Sequence, residues 1–448
     1  MSRAAANGRP WRFSGLGFCY EPGVARARSR TTPAARAAAA PGEGEADHGA
    51  IAAAVVAAYR IQRRDLPWRR TRDPYAVWVS EIMLQQTRVA TVIPYWQRWM
   101  TRFPTVTALA DAPLDDVLAA WSGLGYYRRA RHLHAGARWV AAERGGVLPS
   151  AAADLRAVPG IGAYTAGAVA SIAFGEAAPL VDGNVARVLA RVYAIDDDVK
   201  STAGQRAIWD LAAKLMIARP DGADPGELNQ GLMELGALTC TPTSPACLTC
   251  PLAAPCRARA TGRQDQLPRM PARKREADLP LLVTVALWIE QDGKLLLAQR
   301  PAAGLFAGLW ELPQGADAAD AARAIGTTLS GATTTRAHHQ QTLSHRRLDI
   351  TAVDARLRGR PRAVDGRYQA VRWVTLDEAR ALAIASGTSA LLAAPAPAPT
   401  PARRPPARAA PAPRPAAAAP RPRASTTRNL APSRRSPAGS LGKPRQRR

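Results

Sequence analysis

The feature that most restricts how this 448-residue chain can fold is a change of hydrophobic period part-way along it. From about residue 48 to 233, apolar residues recur at helical spacing between short polar or Pro/Gly breaks, with no convincing strand. That predicts an all-α domain. Beyond residue 280 the pattern becomes strand-like. Strands are expected over 281–290, 294–299, 348–357 and 368–374, with a turn at Asp292-Gly293 and helical stretches over 318–325 and 376–382. A second domain, of α/β type, follows. Residues 258–279 are rich in Arg, Lys, Pro and Gln without apolar period and read as a linker. The expected domains are therefore 48–257, with a cysteine loop at 240–256, and 280–393. Residues 1–47 and 394–448 are Ala-, Arg- and Pro-rich without period, and disorder is expected at both ends.

Charge narrows the choice of partner. The chain carries 61 Lys and Arg against 35 Asp and Glu, a formal charge of +26. Thirteen of the basic residues, with no acidic one, fall in 391–448, so the rest of the chain is still +13. A polyanion such as DNA, RNA or an acidic membrane surface fits this balance. No run approaches the 18 or so apolar residues of a membrane span. Four of the five cysteines lie between Cys240 and Cys256, which suits a ligand cluster in a reducing compartment rather than a secreted disulfide framework. Cys19 stands alone and receives no role. Seven Arg against four acids in 1–47 resemble a transit peptide weakly, and an over-long start site accounts for them as well.

In the stretch from Asp73 to Arg88, Tyr75, Trp78, Val79, Ile82 and Met83 form an apolar helical stripe, with Asp73 placed to cap and Pro74 in the first turn. Glu81 lies about 120° from the stripe's centre, so the helix is expected to bury one face and present this carboxylate elsewhere. Taken singly, it would be a solvated helix charge. A polar run, Gln85-Gln86-Thr87, follows. Two non-periodic segments, Arg64 to Arg69 and Trp121 to Arg129, interleave aromatics with arginine, which suits stacking on bases while holding phosphates. Ordinary core aromatics beside surface charge would explain either one alone. Pro159-Gly160-Ile161-Gly162 sits between two helical patterns and predicts a hairpin whose second helix offers its free N–H groups to an anion. Many helix–helix turns look similar. Asp182 precedes the stripe Val185, Val188, Leu189, Val192 and reads as an N-cap, which does not exclude catalysis.

Cys240, Cys247, Cys250 and Cys256 are spaced C-x6-C-x2-C-x5-C. Four thiolates so placed close around tetrahedral zinc or a [4Fe-4S] cluster. Zinc is the commoner structural metal, but the x6 gap is unlike paired zinc knuckles and leans toward the cluster.

Together, LPWR at 66–69, SEIMLQQTRV at 80–89, WSGLGYYRRARHL at 121–133, PGIGAYTAGA at 159–168, VDGNVARVLAR at 181–191, the 229–236 run and the four cysteines resemble the adenine DNA glycosylase (MutY) family of helix-hairpin-helix glycosylases. The resemblance covers about residues 48–375. It implies an all-α glycosylase domain with a [4Fe-4S] loop and an α/β Nudix-like domain. The implied reaction is hydrolysis of the N-glycosidic bond of adenine mispaired with 8-oxoguanine or guanine in duplex DNA, by a cytoplasmic, nucleoid-associated bacterial monomer.

By the same resemblance Glu81 is the acid that protonates adenine and Asp182 the carboxylate that stabilises the sugar cation, with Tyr164 and Asn184 beside them. Arg64, Leu66, Trp68 and Gln230 surround the flipped base, Gln86 and Tyr126 wedge into the duplex, and Gly160 and Gly162 form the phosphate-binding hairpin. Related endonuclease III enzymes carry a lysine where Tyr164 stands, so a monofunctional glycosylase is expected; the alternatives are such a lyase or a non-enzymatic cluster-bearing DNA binder. Ser344 and His345 match the loop that reads 8-oxoguanine, with Leu343 where the family has an aromatic. Residues 315–331 offer Asp317 and Asp320 but no glutamate, so metal-dependent Nudix hydrolysis is not expected.

Overall fold

Helix formation in the first domain follows the caps and stripes of the sequence. The computed structural model describes residues 47–271, 275–364 and 366–394. The expected disordered ends lie outside the described residues apart from Asp47 and Ala394, and so does Cys19. The helices are α1 (His48–Gln62), α2 (Pro74–Leu84), α3 (Val89–Arg102), α4 (Val106–Asp111), α5 (Leu114–Ala120), α6 (Arg128–Arg144), α7 (Ala152–Leu155), α8 (Ala163–Phe174), α9 (Gly183–Val192), α10 (Thr202–Ile217), α11 (Pro225–Leu238) and α12 (Arg257–Ala260).

They enclose two apolar cores. One gathers α2 to α8 around Trp78, Trp99, Trp121 and Leu133. The other packs α1 with α9, α10 and α11 through Ile51, Val55, Leu189, Ile208 and Leu232. α8 serves both, with Val169 in the first and Ala168 in the second.

α2 departs from the one-sided helix expected. Every residue from Tyr75 to Met83 is buried, Ala76, Val77 and Ser80 as well as the stripe. α3, α6 and α8 all pack against it, so it has no solvent face, and Ser80 satisfies its hydroxyl internally on the Val77 carbonyl (2.7 Å). The linker reading of 258–279 also changes. Leu267 is buried, its carbonyl accepts from Arg191 Nε (2.8 Å), and the Arg269 carbonyl accepts from Val199 N–H (3.2 Å). A single apolar residue has no period to announce it, and the buried Arg191 needs carbonyl acceptors.

The second domain contains β1 (Leu281–Trp288), β2 (Glu290–Gln291), β3 (Lys294–Gln299), β4 (Trp310–Glu311), β5 (Gln314–Gly315), α13 (Ala318–Ala324), β6 (Thr328–Leu329), β7 (Thr334–Thr342), β8 (Arg347–Asp354), β9 (Leu357–Arg358), β10 (Ala370–Val374), α14 (Leu376–Ala381) and α15 (Ser386–Ala393). One sheet has the order β5-β1-β8-β7, with β1 parallel to β8; another has the order β10-β3-β2, with β4 on β3, and β6 pairs with β9. Asp292 and Gly293 both have positive φ, as the tight β2–β3 hairpin requires. β7 and α15 had no counterpart in the sequence reading. β7 is a polar edge strand, exposed at alternate positions, and lacks the apolar alternation that betrays a strand.

This domain rests on the helical one. Leu309, Ala383 and Ala385 join the core of α2 to α8, and Arg131 Nη2 donates to the Ala307 carbonyl (2.8 Å). Among the described residues, no helix is long and apolar enough to cross a membrane.

Candidate active site

Between the two helical cores runs a cleft of about 680 Å³. Its walls come from the loop before α2 (Arg64, Leu66, Trp68), from α2 and the turn after it (Glu81, Gln85, Gln86), from α8 (Tyr164), from the start of α9 (Asp182, Asn184, Arg187) and from α11 (Gln230, Met233, Glu234). Nine residues singled out in the sequence, spread from position 64 to 230, thus line one space: Arg64, Leu66, Trp68, Glu81, Gln86, Tyr164, Asp182, Asn184 and Gln230.

Glu81 is 5% exposed and accepts a hydrogen bond from the Tyr164 hydroxyl. Burial pushes its pKa from 4.5 to about 7; the tyrosine bond opposes that shift and the Asp182 charge adds to it. Burial and the neighbouring Glu81 also hold the Tyr164 phenol well above its ordinary pKa, so it stays a donor at neutral pH.

Asp182 caps α9 by accepting from Val185 N–H at Oδ1 (2.7 Å), while Oδ2 accepts from Asn184 Nδ2 (2.9 Å). Arg187 Nη2 donates to Asn184 Oδ1 (2.8 Å). Because a guanidinium only donates, this contact fixes the amide with its NH₂ toward Asp182. Burial raises the Asp182 pKa too, but Val185, Asn184 and the Arg187 charge all oppose it. Two carboxyl groups therefore face one cleft in different surroundings. Glu81, with a neutral phenol for a partner, is the one that keeps its proton.

Glu234 escaped the sequence reading, and Arg69 and Arg187 entered it only as parts of longer motifs. Glu234 accepts from Arg64 Nε (2.8 Å) and Nη2 (2.7 Å) and from Arg69 Nη1 (3.2 Å) and Nη2 (2.9 Å). Arg69 Nε donates in turn to Gln230 Oε1 (3.1 Å). The available signal was a carboxylate set among Leu228, Leu232 and Leu235 on a buried helix.

The remaining residues lie outside the cleft. Tyr126 is 53% exposed on the loop before α6. In the hairpin, Gly160 has φ +86° and a Cβ there would sit 2.6 Å from His132 Cβ, so only glycine fits. Gly162 caps α8 at φ −90° with no side-chain cap, leaving that helix's first N–H groups open two residues before Tyr164. Ser344 and His345 are exposed between β7 and β8, their Oγ and Nδ1 3.4 Å apart. Asp317 caps α13, and Asp320 pairs with Arg367 (2.9 Å), so both are occupied structurally.

Cys240, Cys247, Cys250 and Cys256 line one small void, of about 20 Å³, under α9 and α11. Buried Arg191 donates to Cys240 Sγ (3.3 Å) and to the Thr241 carbonyl (2.7 Å). Among the described residues the thiols do not converge as a ready ligand set. Four thiols around one void, with a guanidinium on one of them, nevertheless fit a thiolate-held group in number, kind and charge.

Residues 79–214 match the family model described as HhH-GPD superfamily base excision DNA repair protein, and residues 284–394 match the NUDIX domain. A human adenine DNA glycosylase is 44% identical over 309 residues, 57% of this chain and 55% of that protein. The chain thus spans little more than half the length of that relative. An adenine DNA glycosylase of Buchnera aphidicola is 34% identical over 252 residues, 56% of this chain and 70% of that protein. Among solved structures, a thermostable thymine-DNA glycosylase is 29% identical with a TM-score of 0.43, covering 48% of this chain and 97% of that one.

Proposed function

The chain belongs to the adenine DNA glycosylase family, and on that premise we propose that it hydrolyses the N-glycosidic bond of adenine mispaired with 8-oxoguanine or guanine, leaving the strand uncut. The observation that carries this reading is the Glu81–Tyr164 pair, a buried acid with a pKa of about 7 in the same cleft as Asp182. A paired adenine must leave the stack to be reached, and the cleft is large enough to take it. Glu81 then gives its proton to adenine N7, the C1′–N9 bond breaks with its electron pair leaving on the base, and ionised Asp182 stabilises the cationic sugar until water adds. Leu66 and Trp68 supply apolar walls, while Arg64, Arg69 and Gln230 supply polar edges. The Gly160-Gly162 hairpin holds a phosphate, and Ser344-His345 reads the lesion base.

Cys240, Cys247, Cys250 and Cys256 would hold a [4Fe-4S] cluster, whose bonds would tie down the loop between α11 and α12. The working form is a cytoplasmic, nucleoid-associated monomer, in line with the basic charge of the chain.

The deciding experiment compares base release from duplexes carrying A:8-oxoG, A:T and C:8-oxoG. Adenine is expected from the first at least about a hundredfold faster than from the second, and no base from the third. Equal release, or none, overturns the reading. Because Tyr164 offers no amine, borohydride should trap no protein–DNA adduct; an adduct would favour a lyase instead.

A further inference from the structure

Two residues beside the cleft adopt a backbone conformation that side chains disfavour. Gln86 has φ +56° and Tyr126 φ +48°, both left-handed. Both are exposed, so neither conformation serves a core. They sit on separate loops, Gln86 just after α2 and Tyr126 just before α6.

One guanidinium joins those loops. Arg129 Nη1 donates to the carbonyls of Ile82 (2.9 Å), Met83 (2.9 Å) and Gln85 (2.5 Å), the open C-terminal end of α2. Its Nη2 donates to Thr87 Oγ1 (3.1 Å) and to the carbonyls of Leu124 (3.1 Å) and Gly125 (3.2 Å). The same group lies 5.1 Å from the Trp121 ring and 5.6 Å from the Tyr126 ring. Among the described residues no carboxylate pairs with it, so a largely buried cation is committed to neutral acceptors on two loops. An ammonium lacks the flat fork needed to reach both sets at once. The far loop is itself anchored: Tyr95 donates to the Ser122 carbonyl (2.6 Å), and Trp121 Nε1 to the Gly125 carbonyl (3.0 Å).

We propose that Arg129 is a positioning residue that locks the 85–87 and 123–127 loops into one jaw, so that Gln86 and Tyr126 enter the duplex together when the target base is extruded. This rests on the proposed function, since the jaw has a purpose only if a base must leave its stack. A polar amide and a half-exposed aromatic, preset on strained backbone, suit that task because neither has to be reorganised on binding.

The test uses the full-length protein and Arg129→Lys. Amide hydrogen exchange in 85–88 and in 123–127 is expected to rise together by about tenfold or more, while α9 is unchanged. Adenine release from an A:8-oxoG duplex is expected to fall about tenfold, and release from a single-base adenine bulge, which is already unpaired, by less than about threefold. Loosening of one loop without the other, or an equal loss on both substrates, overturns the proposal. Should the variant melt below the assay temperature, exchange of the unaltered protein decides: the two loops must open as one unit, and independent opening overturns the joining role. Unaltered protein that releases no adenine overturns the functional reading and leaves the exchange result to decide the coupling.

Discussion

Replacing Glu81 by Gln is expected to cut adenine release by about 10²–10⁴-fold, the range for a lost general acid, and to make the folded protein more stable at pH 8. The two effects share one cause. Unfolded, Glu81 titrates near 4.5; folded, burial holds it near 7. Between these values the folded state binds the extra proton, so stability falls as pH rises through that window. Above pH 7 the buried charge costs on the order of 3 kcal/mol. Gln keeps the shape and a partner for Tyr164 but carries no charge. Melting curves of the two proteins should therefore coincide near pH 4 and separate by pH 8, with the variant higher. Asp182→Asn should lose activity on a similar scale, by about 10²–10³-fold, because an amide gives a cationic sugar little help. Both variants should still bind mispaired duplex. The pH–rate profile of the unaltered protein should decline as pH rises through about 7, where the acid loses its proton. Full activity in either variant, or a rate that stays flat to high pH, would remove that carboxyl from the mechanism.

Glu234→Ala is expected to destabilise the protein by roughly 3–5 kcal/mol, measurable by denaturant titration. Burial alone would raise the Glu234 pKa, but hydrogen bonds from Arg64 and Arg69 outweigh it and bring it to about 2. The ion-pair contribution is thus complete above pH 4.5 and disappears as pH falls through 2. Removing the carboxylate leaves two guanidinium groups facing each other at the cleft wall. Glu234→Gln keeps the volume and one acceptor and should lose less. The freed Arg69 charge also acts on Glu81, whose pKa it already lowers, so residual activity should decline from a lower pH than in the unaltered protein. An unchanged profile together with near-normal stability would reduce the cluster to a peripheral contact.

How much of this was legible depended on whether a residue's role is local. Asp73 and Asp182 advertise themselves as caps because a cap is defined by the next three residues, and both cap their helices. The short apolar runs of β1 and β3 showed through because each is bounded by turn residues and buries much of its length against neighbouring elements. Full burial of α2 did not show. Its stripe was real, but two of the three helices that cover its other faces, α6 and α8, start more than forty residues farther along the chain. Glu234 was hidden for the same reason, since its partners lie about 170 residues away. Glu81 and Asp182 were singled out by the company their motifs keep, and both line the one cleft. The environment that separates their proton affinities, a phenol on one side and an amide held by Arg187 on the other, exists only once the fold has closed.

The route of the chain bears on how the protein is made. α1 leads α2 in sequence yet packs with α9 to α11 in the second core. On the ribosome, α1 emerges first and must wait for some 170 further residues, roughly ten to thirty seconds of synthesis, before its partners are available. Meanwhile the core from α2 to α8 lacks only a few late contributors, Ala178 and the second domain's Leu309, Ala383 and Ala385. A nascent chain arrested far enough beyond Phe174 for α8 to have left the ribosome should already protect Trp99 and Trp121 from solvent while α1 is still cut by protease, and the wall that carries Asp182 would then be the last part of the cleft to form.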